Sequence, residues 1–189
     1  MESASPEPFR SGGPRPSIGT AAQDQAATGT PADAEAVSRV IDVIDDQADP
    51  VDLARVRRLV VHVLAALDVP VELEVSVTCV DRHRIAELNE AYLGGEGPTD
   101  VLAFPIDAVD DVDAGVPGLL GDVVVCPRVA ATQAGTHGRT VTAELDLLVV
   151  HGILHLLGHD HADDDERTRM FGLTDRLLAA FVPDGGRRP

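Results

Sequence analysis

A histidine-rich stretch in the last third of the chain has the residue types and the spacing to bind a metal ion. It reads D-L-L-V-V-H-G-I-L-H-L-L-G-H-D-H and ends at His161. His151 and His155 are four residues apart, so a helix would place them on one face, one turn from each other. Gly158 can adopt the left-handed conformation that ends a helix, and the chain beyond it can bring His161 back toward the other two imidazoles. Three neutral imidazoles around one point can hold catalytic zinc and leave a coordination position for water.

The neighbours of these histidines indicate a buried central helix. They are nearly all apolar: Leu147, Leu148, Val149, Val150, Ile153, Leu154, Leu156 and Leu157. A single histidine on an apolar face is ordinarily a satisfied core or surface residue. Buried polar groups need partners, however, and three histidines with a helix-ending glycine among them favour a shared metal ion as that partner.

The third ligand and its surroundings leave alternatives open. His159 competes with His161, because it lies four residues after His155. We predict His161 as the ligand, since the turn at Gly158 would end the helix before the four-residue spacing reaches His159. Asp160 either orients one of the imidazoles through a hydrogen bond or caps the following segment.

The chemistry that such a site indicates is hydrolysis. Zinc on three imidazoles would lower the pKa of a bound water toward about 7 and would polarise a substrate oxygen. The spacing is similar to that of the metzincin proteases, in which a glutamate directly after the first histidine is the general base. Gly152 occupies that position here and cannot accept a proton. The sequence therefore identifies no catalytic group beyond the zinc-bound water, and peptide hydrolysis is disfavoured.

Composition predicts one acidic domain with flexible ends. The chain has 189 residues, of which 44% are hydrophobic and 3% aromatic, so its core must be aliphatic. The formal net charge of -17 argues against a broad basic surface for phosphates, so contact with nucleic acid would be local or aided by a partner. Residues 1–35 are rich in Pro, Gly, Ser, Thr and Ala and predict a disordered extension. Residues 36–183 are the predicted domain, and residues 184–189 are a predicted disordered tail.

Cysteine usage and the absence of long apolar runs predict a reducing, cytoplasmic location. Cys79 and Cys126 lie in separate apolar runs and are interpreted as buried thiols. No run of about 18 apolar residues suggests a membrane span, and the N-terminus lacks the apolar core of a secretion signal.

The order of elements predicts an α+β (α/β) domain, with a mixed sheet of about four strands packed by about five helices. Strands are expected at 40–44, 71–79, 99–105 and 119–126. The expected helices begin after Asp49, after Asp81, at Pro127, at Thr140 or Thr142, and after Asp163 or Asp164. The helix at Pro127 is expected to end near Gly135, and 107–118 to form a loop.

The same periodicity predicts which side chains face the core. In the second helix these are Ile85, Leu88 and Tyr92, and in the last helix Met170, Phe171, Leu177, Leu178 and Phe181. Arg55, Arg57 and Arg58 are interpreted as the solvated face of the first helix, with an RNA contact as the alternative.

Four stretches together resemble one known family. The string H-G-I-L-H-L-L-G-H-D-H, followed by A-D-D-D-E, resembles the signature of the YbeY endoribonucleases, the bacterial rRNA maturation factors. L-N-E-A-Y at 88–92, P-T-D-V-L-A-F-P at 98–105 and L-G-D-V-V-V-C at 120–126 resemble the same family in the same order. The resemblance implies a single-strand-specific, zinc-dependent endoribonuclease acting in 16S rRNA 3′-end maturation and ribosome quality control. It also implies His151, His155 and His161 as ligands of one Zn²⁺ per chain.

The resemblance further implies rRNA precursor and the small ribosomal subunit as partners, with ribosomal protein and GTPase partners and no membrane. One position departs from the family, whose members typically carry an arginine directly after L-N-x-x-Y, where this chain has Leu93. Leucine cannot make the bidentate phosphate contact of arginine. Candidates to compensate are Arg82, Arg84, Arg128 and Arg139; the substrate-binding residues are otherwise not identified.

Two alternative functions stay open. The first is a ribosome-assembly binding factor with a structural metal and little nuclease activity, although three histidines without a fourth protein ligand argue against a closed structural site. The second is another metal-dependent hydrolase.

Overall fold

The fold is an α+β arrangement of a four-stranded sheet and five helices. The computed structural model describes residues 39–113, 115–159 and 163–182. Its strands are β1 (Ile41–Asp46), β2 (Leu73–Val80), β3 (Val101–Pro105) and β4 (Gly118–Val125). Its helices are α1 (Leu53–Ala66), α2 (Arg82–Leu93), α3 (Pro127–His137), α4 (Val141–Leu156) and α5 (Asp164–Ala180), with one 3₁₀ turn at Val109–Asp111. The element types and their order are those predicted, whereas the predicted disordered ends at 1–35 and 184–189 lie outside the described residues.

The sheet is mixed, as the sequence predicts. Its strand order is β1-β2-β4-β3, with β2 parallel to both β1 and β4 and with β3 antiparallel to β4 at one edge. In β2 the side chains of Leu73, Val75, Val77 and Cys79 are buried, and they alternate with half-buried polar residues. This is the period of two that a strand with one covered face requires. Val71, the first residue of the predicted strand, precedes β2 and is exposed.

Helix α4 lies at the centre of the described fold. It packs against β3 and β4 on one side and against α1, α3 and α5 on the others. Ten of its residues are buried: Glu144, Leu145, Asp146, Leu148, Val149, Val150, Gly152, Ile153, Leu154 and Leu156. A smaller cluster under α2 contains Val80, Ile85, Leu102, Val124 and Cys126. The histidine motif therefore lies on the buried central helix that its apolar neighbours predict.

Side-chain caps fix where most helices begin. Asp81, Thr140 and Asp163 each accept a hydrogen bond from the backbone N–H three residues later, so the predicted starts of α2, α4 and α5 are confirmed. The predicted start of α1 is wrong, because Asp52 rather than Asp49 is its cap.

A long-range partner and a left-handed glycine account for two differences in the helix bounds. The Asp49 carboxylate lies 2.6 Å from Nη2 of Arg128 and is engaged there rather than at a helix end. Helix α3 continues past the expected end at Gly135 to His137, and Gly138 then takes the left-handed conformation that closes it.

Three predicted orientations are wrong. Tyr92 is 67% exposed, with its ring edge against Phe104. Phe171 is also exposed. Arg55 is not on a solvated face, because its guanidinium pairs with the buried carboxylate of Asp146 on α4. Periodicity identifies one face of a helix, but it does not show how much of that face a neighbouring element covers.

Both cysteines are buried, free thiols, as predicted. Burial, with a smaller contribution from the nearby Asp45 carboxylate, raises the pKa of Cys79 to about 12. No helix in the described part of the chain combines the length and the apolar character that crossing a membrane requires.

Candidate metal centre and cleft

His151 and His155 lie in the last turns of α4 with their ring nitrogens facing each other. Their Nε2 atoms are 3.2 Å apart, and the two rings are perpendicular with centroids 4.7 Å apart. Two nitrogens bound tetrahedrally to one zinc at the usual bond length are about 3.3 Å apart. The spacing of these two atoms therefore fits a common metal ion. Both imidazoles are only half-buried, so they are accessible from solvent.

The predicted helix end is confirmed at Gly158. This residue has φ +78°, its N–H donates to the carbonyl of His155, and the N–H of His159 donates to the carbonyl of Leu154. These two bonds form the Schellman motif that closes many helices. The chain therefore leaves the helix axis after the second histidine, as the third-ligand prediction requires.

The two candidates for the third ligand differ in what the structure describes. His159 is exposed and lines a separate cavity together with α5 residues such as Glu166 and Arg169. His161 and Asp160 lie outside the described residues, so the ligand role of the first and the orienting role of the second stay predictions. Among the described residues, no group of three or more His, Cys, Asp or Glu side chains could hold a metal ion. The described part of the chain thus contributes two of the three predicted ligands.

Packing against the sheet explains why glycine follows the first histidine. A Cβ atom at Gly152 would lie 2.6 Å from Cγ1 of Val123 in β4 and 3.3 Å from Cγ2 of Val101 in β3. The position has no room for a longer side chain without displacing the sheet. The position of the protease general base is therefore used here for close helix–sheet contact.

Helix α5 forms one wall beside the histidines. The ring of Phe171 is stacked on His151, with centroids 6.2 Å apart and planes 18° from parallel. The same helix is held to α1, because His62 Nε2 lies 3.1 Å from the carbonyl oxygen of Leu177. At its end the Arg55 guanidinium lies over the Phe181 ring. Phe171 was predicted to face the core, yet its position makes it part of the candidate site.

The histidines open into a cleft of about 920 Å³. Its lining combines apolar side chains with a few charged and amide groups: Leu93, Thr99, Asp100, Val101, Ala103, Gln133, His137, Arg139, Glu144, Leu147, Leu148, His151, Gly152, His155, Arg167, Phe171, Thr174 and Asp175. Leu93 is 68% exposed and lies in this lining. The residue that departs from the family pattern therefore faces the same space as the two histidines.

A hydrogen-bonded carboxylate braces one wall of the cleft. Asp100 accepts bonds from the N–H of Val101, the hydroxyl of Thr99 and the side-chain amide of Gln133 on α3, the last at 2.8 Å. These bonds tie the start of β3 to α3, and the sequence alone did not predict this role for Asp100.

A second carboxylate lies at the joint between α3 and α4. Glu144 is 2% exposed; its Oε1 is 2.9 Å from Nδ1 of His137, and its Oε2 accepts a 3.1 Å bond from Arg139. The sequence carries a signal for this carboxylate, because Glu144 and Asp146 are the acidic residues of a largely apolar helix. A buried charge of this kind requires partners.

The four arginines that could compensate for Leu93 differ in whether they line the cleft. Arg139 is the one that lines the cleft. Arg82 is exposed at the start of α2, Arg84 pairs with Glu87 on the surface of the same helix, and Arg128 pairs with Asp49. Arg167 of α5 also lines the cleft and was not predicted.

Comparison with known proteins identifies close relatives along most of the chain. The family model described as Endoribonuclease YbeY matches residues 42–182. Endoribonuclease YbeY of Thermobifida fusca is 46% identical over 144 residues, which are 75% of this chain and 93% of the relative. The Salinispora tropica protein of the same name is 47% identical over 149 residues, and the match covers 75% of this chain and 95% of that protein. The solution structure of TM1509 from Thermotoga maritima matches with a TM-score of 0.51 at 28% identity, covering 74% of this chain and 87% of that chain.

Proposed function

The chain belongs to the YbeY endoribonuclease family, and from this premise we propose that it is a zinc-dependent endoribonuclease that cleaves single-stranded RNA during 16S rRNA 3′-end maturation. The observation that carries the zinc assignment is the 3.2 Å separation of the Nε2 atoms of His151 and His155 on the wall of an open cleft. These two residues, with His161, would hold one Zn²⁺.

Zinc at this position would supply a Lewis acid that polarises a phosphoryl oxygen and lowers the pKa of water. The protein's own contribution is orientation. The Phe171 ring lies nearly parallel to that of His151, and the helix closure at Gly158 fixes the end of the element that carries both histidines.

The character of the cleft supports a single-stranded substrate. Apolar side chains such as Leu147, Leu148 and Phe171 line it beside the charged groups. An unpaired base can stack on an aromatic ring such as that of Phe171, whereas a duplex keeps its bases stacked inside and presents mainly sugar and phosphate. Duplex RNA of the same sequence should therefore be cleaved far more slowly.

The charge of the chain supports action within the ribosome. With a formal net charge of -17, the protein has little general attraction for polyphosphate, so affinity must come from a few contacts or from neighbouring proteins. Small-subunit precursor rRNA, a ribosomal protein and a GTPase are the partners that the family resemblance implies, in the cytoplasm.

A binding role with little nuclease activity is the second candidate function. The observation that favours it is Leu93, an apolar residue in the cleft where the family pattern has arginine. A chain that binds precursor rRNA without cleaving it would fit this substitution. The other alternative is another metal-dependent hydrolase; a peptide substrate for it has no such support, because Gly152 cannot act as a base.

Cleavage of a defined RNA distinguishes these functions. The full chain, loaded with zinc, is incubated with single-stranded RNA that carries the immature 16S 3′ end. We expect cleavage by the wild type and a loss of more than about 100-fold in His151→Ala, beyond the loss usual for a residue that only orients a ligand. His83→Ala is the matched control, because His83 is exposed on α2 and contacts Glu87. Equal cleavage by wild type and His151→Ala would exclude the zinc-dependent nuclease.

Metal content tests the ligand set separately. Zinc bound per chain should fall in the His151→Ala, His155→Ala and His161→Ala variants and should remain unchanged in His159→Ala. Retention of zinc by His161→Ala together with its loss from His159→Ala would replace His161 by His159 as the third ligand.

A further inference from the structure

The joint between α3 and α4 presents a fixed cationic group to the cleft. Helix α3 ends at His137, Gly138 closes it, and the N–H of Arg139 donates to the carbonyl of Ala134. Thr140 then caps α4. Arg139 therefore sits on a short, hydrogen-bonded connection between two helices, and its backbone position is well defined.

Glu144 determines where the Arg139 side chain points. The carboxylate is buried and accepts bonds from both Arg139 and His137, which are each about half exposed. Burying a carboxylate is unfavourable unless charged or polar donors satisfy it. The Glu144 carboxylate therefore holds the side chains of Arg139 and His137 beside it, at the wall of the cleft. This contact uses one of the five N–H donors of the guanidinium, the side chain is 45% exposed, and Arg139 lines the cleft.

Helix geometry gives the separation between Glu144, which binds Arg139, and the histidines. Glu144 and His151 lie on one helix, roughly two turns and about 10 Å apart along its axis. Both line the same cleft. A strand whose cleaved bond lies at His151 and His155 would present a neighbouring phosphate at the α3–α4 joint.

We propose that Arg139, oriented by Glu144 beside His137, is a positioning residue that binds a phosphate of the RNA strand next to the cleaved one. This rests on the proposed function. Arginine suits the task because its planar fork donates two parallel hydrogen bonds to a phosphate. The contact supplies in the cleft an interaction that Leu93 cannot make.

The other charged groups of the cleft are less suited to this contact. Arg167 is 55% exposed, and its contact is a 3.6 Å approach to the solvent-exposed Asp164. No buried carboxylate among the described residues holds it in place. Asp100 is already satisfied by three donors and does not compete for the Arg139 guanidinium.

RNA binding by the metal-free protein tests the contact without depending on cleavage. The full chain is stripped of metal, and its dissociation constant for a labelled single-stranded RNA with the 16S 3′ end is measured at a series of salt concentrations. We expect Arg139→Gln to weaken binding about tenfold. The slope of log K against log salt should become shallower by about 0.7, the value for one lost phosphate contact on a single strand.

Two variants serve as controls. Arg128→Gln removes an equally charged arginine that pairs outside the cleft, so it should retain wild-type affinity and slope. Arg139→Lys keeps the charge without the fork, so it should retain the slope and lose only part of the affinity. Thermal unfolding of each variant identifies any loss of folding. If Arg139→Gln is misfolded, the test is made with Arg139→Lys. The proposal then requires that Arg139→Lys bind the RNA more weakly than the wild type.

Kinetics of the zinc-loaded enzyme separate positioning from a structural role. Arg139→Gln should raise KM and leave the zinc content at the wild-type value. Wild-type affinity, slope and KM in Arg139→Gln would overturn the contact while leaving the nuclease intact. If the wild type binds RNA through Arg139 but does not cleave it, the proposed nuclease activity is refuted and the phosphate contact stands. If the wild type binds no RNA, both proposals are overturned.

Discussion

Gly152 shows how packing decides the chemistry at a single residue. It follows the first histidine, where the similar protease motif has a glutamate, and a Cβ there would meet Val123 at 2.6 Å. Replacing it cannot convert the site into a protease, because any side chain at this position first meets the sheet. The sequence shows that the base is absent, whereas the structure gives the physical reason for glycine.

Substitution of Gly152 by alanine should destabilise the protein. Overpacking against the buried Val123 should reduce the free energy of unfolding by about 1–3 kcal/mol, measured by urea denaturation. Gly172→Ala in α5 is the control, since its added Cβ would meet only ordinary contacts and should raise stability by about 0.5–1 kcal/mol. Equal effects of the two substitutions would contradict the close helix–sheet contact.

Between elements, the most specific polar contact joins α1 to α4. Nε of Arg55 lies 3.1 and 3.0 Å from the two Asp146 carboxylate oxygens, and Nη2 lies 2.6 Å from Oδ2. The Asp146 side chain is 7% exposed and that of Arg55 23%. This pair fixes the helix that carries the histidines, and Arg55 also contacts Phe181 after the end of α5.

Asp146→Asn should weaken this helix pairing. Removing one charge of a largely buried pair should reduce the free energy of unfolding by about 3 kcal/mol, at the lower end of the usual range because Arg55 is partly exposed. Glu87→Gln, which breaks a pair on the surface of α2, should change stability by less than about 0.5 kcal/mol. A loss in Asp146→Asn no larger than in Glu87→Gln would show that the α1–α4 pair contributes little to folding.

Local signals predicted the elements well, and tertiary partners account for what they missed. The caps at Asp81, Thr140 and Asp163 follow from side chains that satisfy the first backbone N–H groups of a helix, so the sequence alone identifies them. Asp49 has the same local signal, but the distant Arg128 engages it. The partner of Arg55 lies 91 residues away on α4, and no local pattern relates the two.

The candidate site was predictable only where its residues are near one another in sequence. His151, His155 and the turn at Gly158 form one continuous string, and their arrangement follows from helix geometry. Asp100 reaches the cleft from the position before β3, Gln133 from α3 and Phe171 from α5. Their convergence depends on how β3, α3 and α5 pack around α4, which periodicity does not specify.

At the scale of the whole molecule, a strongly acidic chain has a cleft whose lining includes apolar, acidic and basic side chains. Its formal net charge is -17, yet Arg139 and Arg167 face the same space as the paired histidines. Such a distribution favours recognition by a few oriented contacts over general attraction to RNA. The fold permits such contacts, because strands and helices pack around α4 while His151 and His155 remain only half-buried.

Removal and return of zinc test the central claim most directly. Chelated wild-type protein should lose cleavage of the single-stranded 16S 3′-end RNA and regain it when one zinc per chain is restored. His155→Ala given the same zinc should remain inactive, because one of the two nitrogens that lie 3.2 Å apart is gone. Undiminished cleavage by metal-free wild type, or equal recovery of both proteins, would contradict a zinc-dependent nuclease at these histidines.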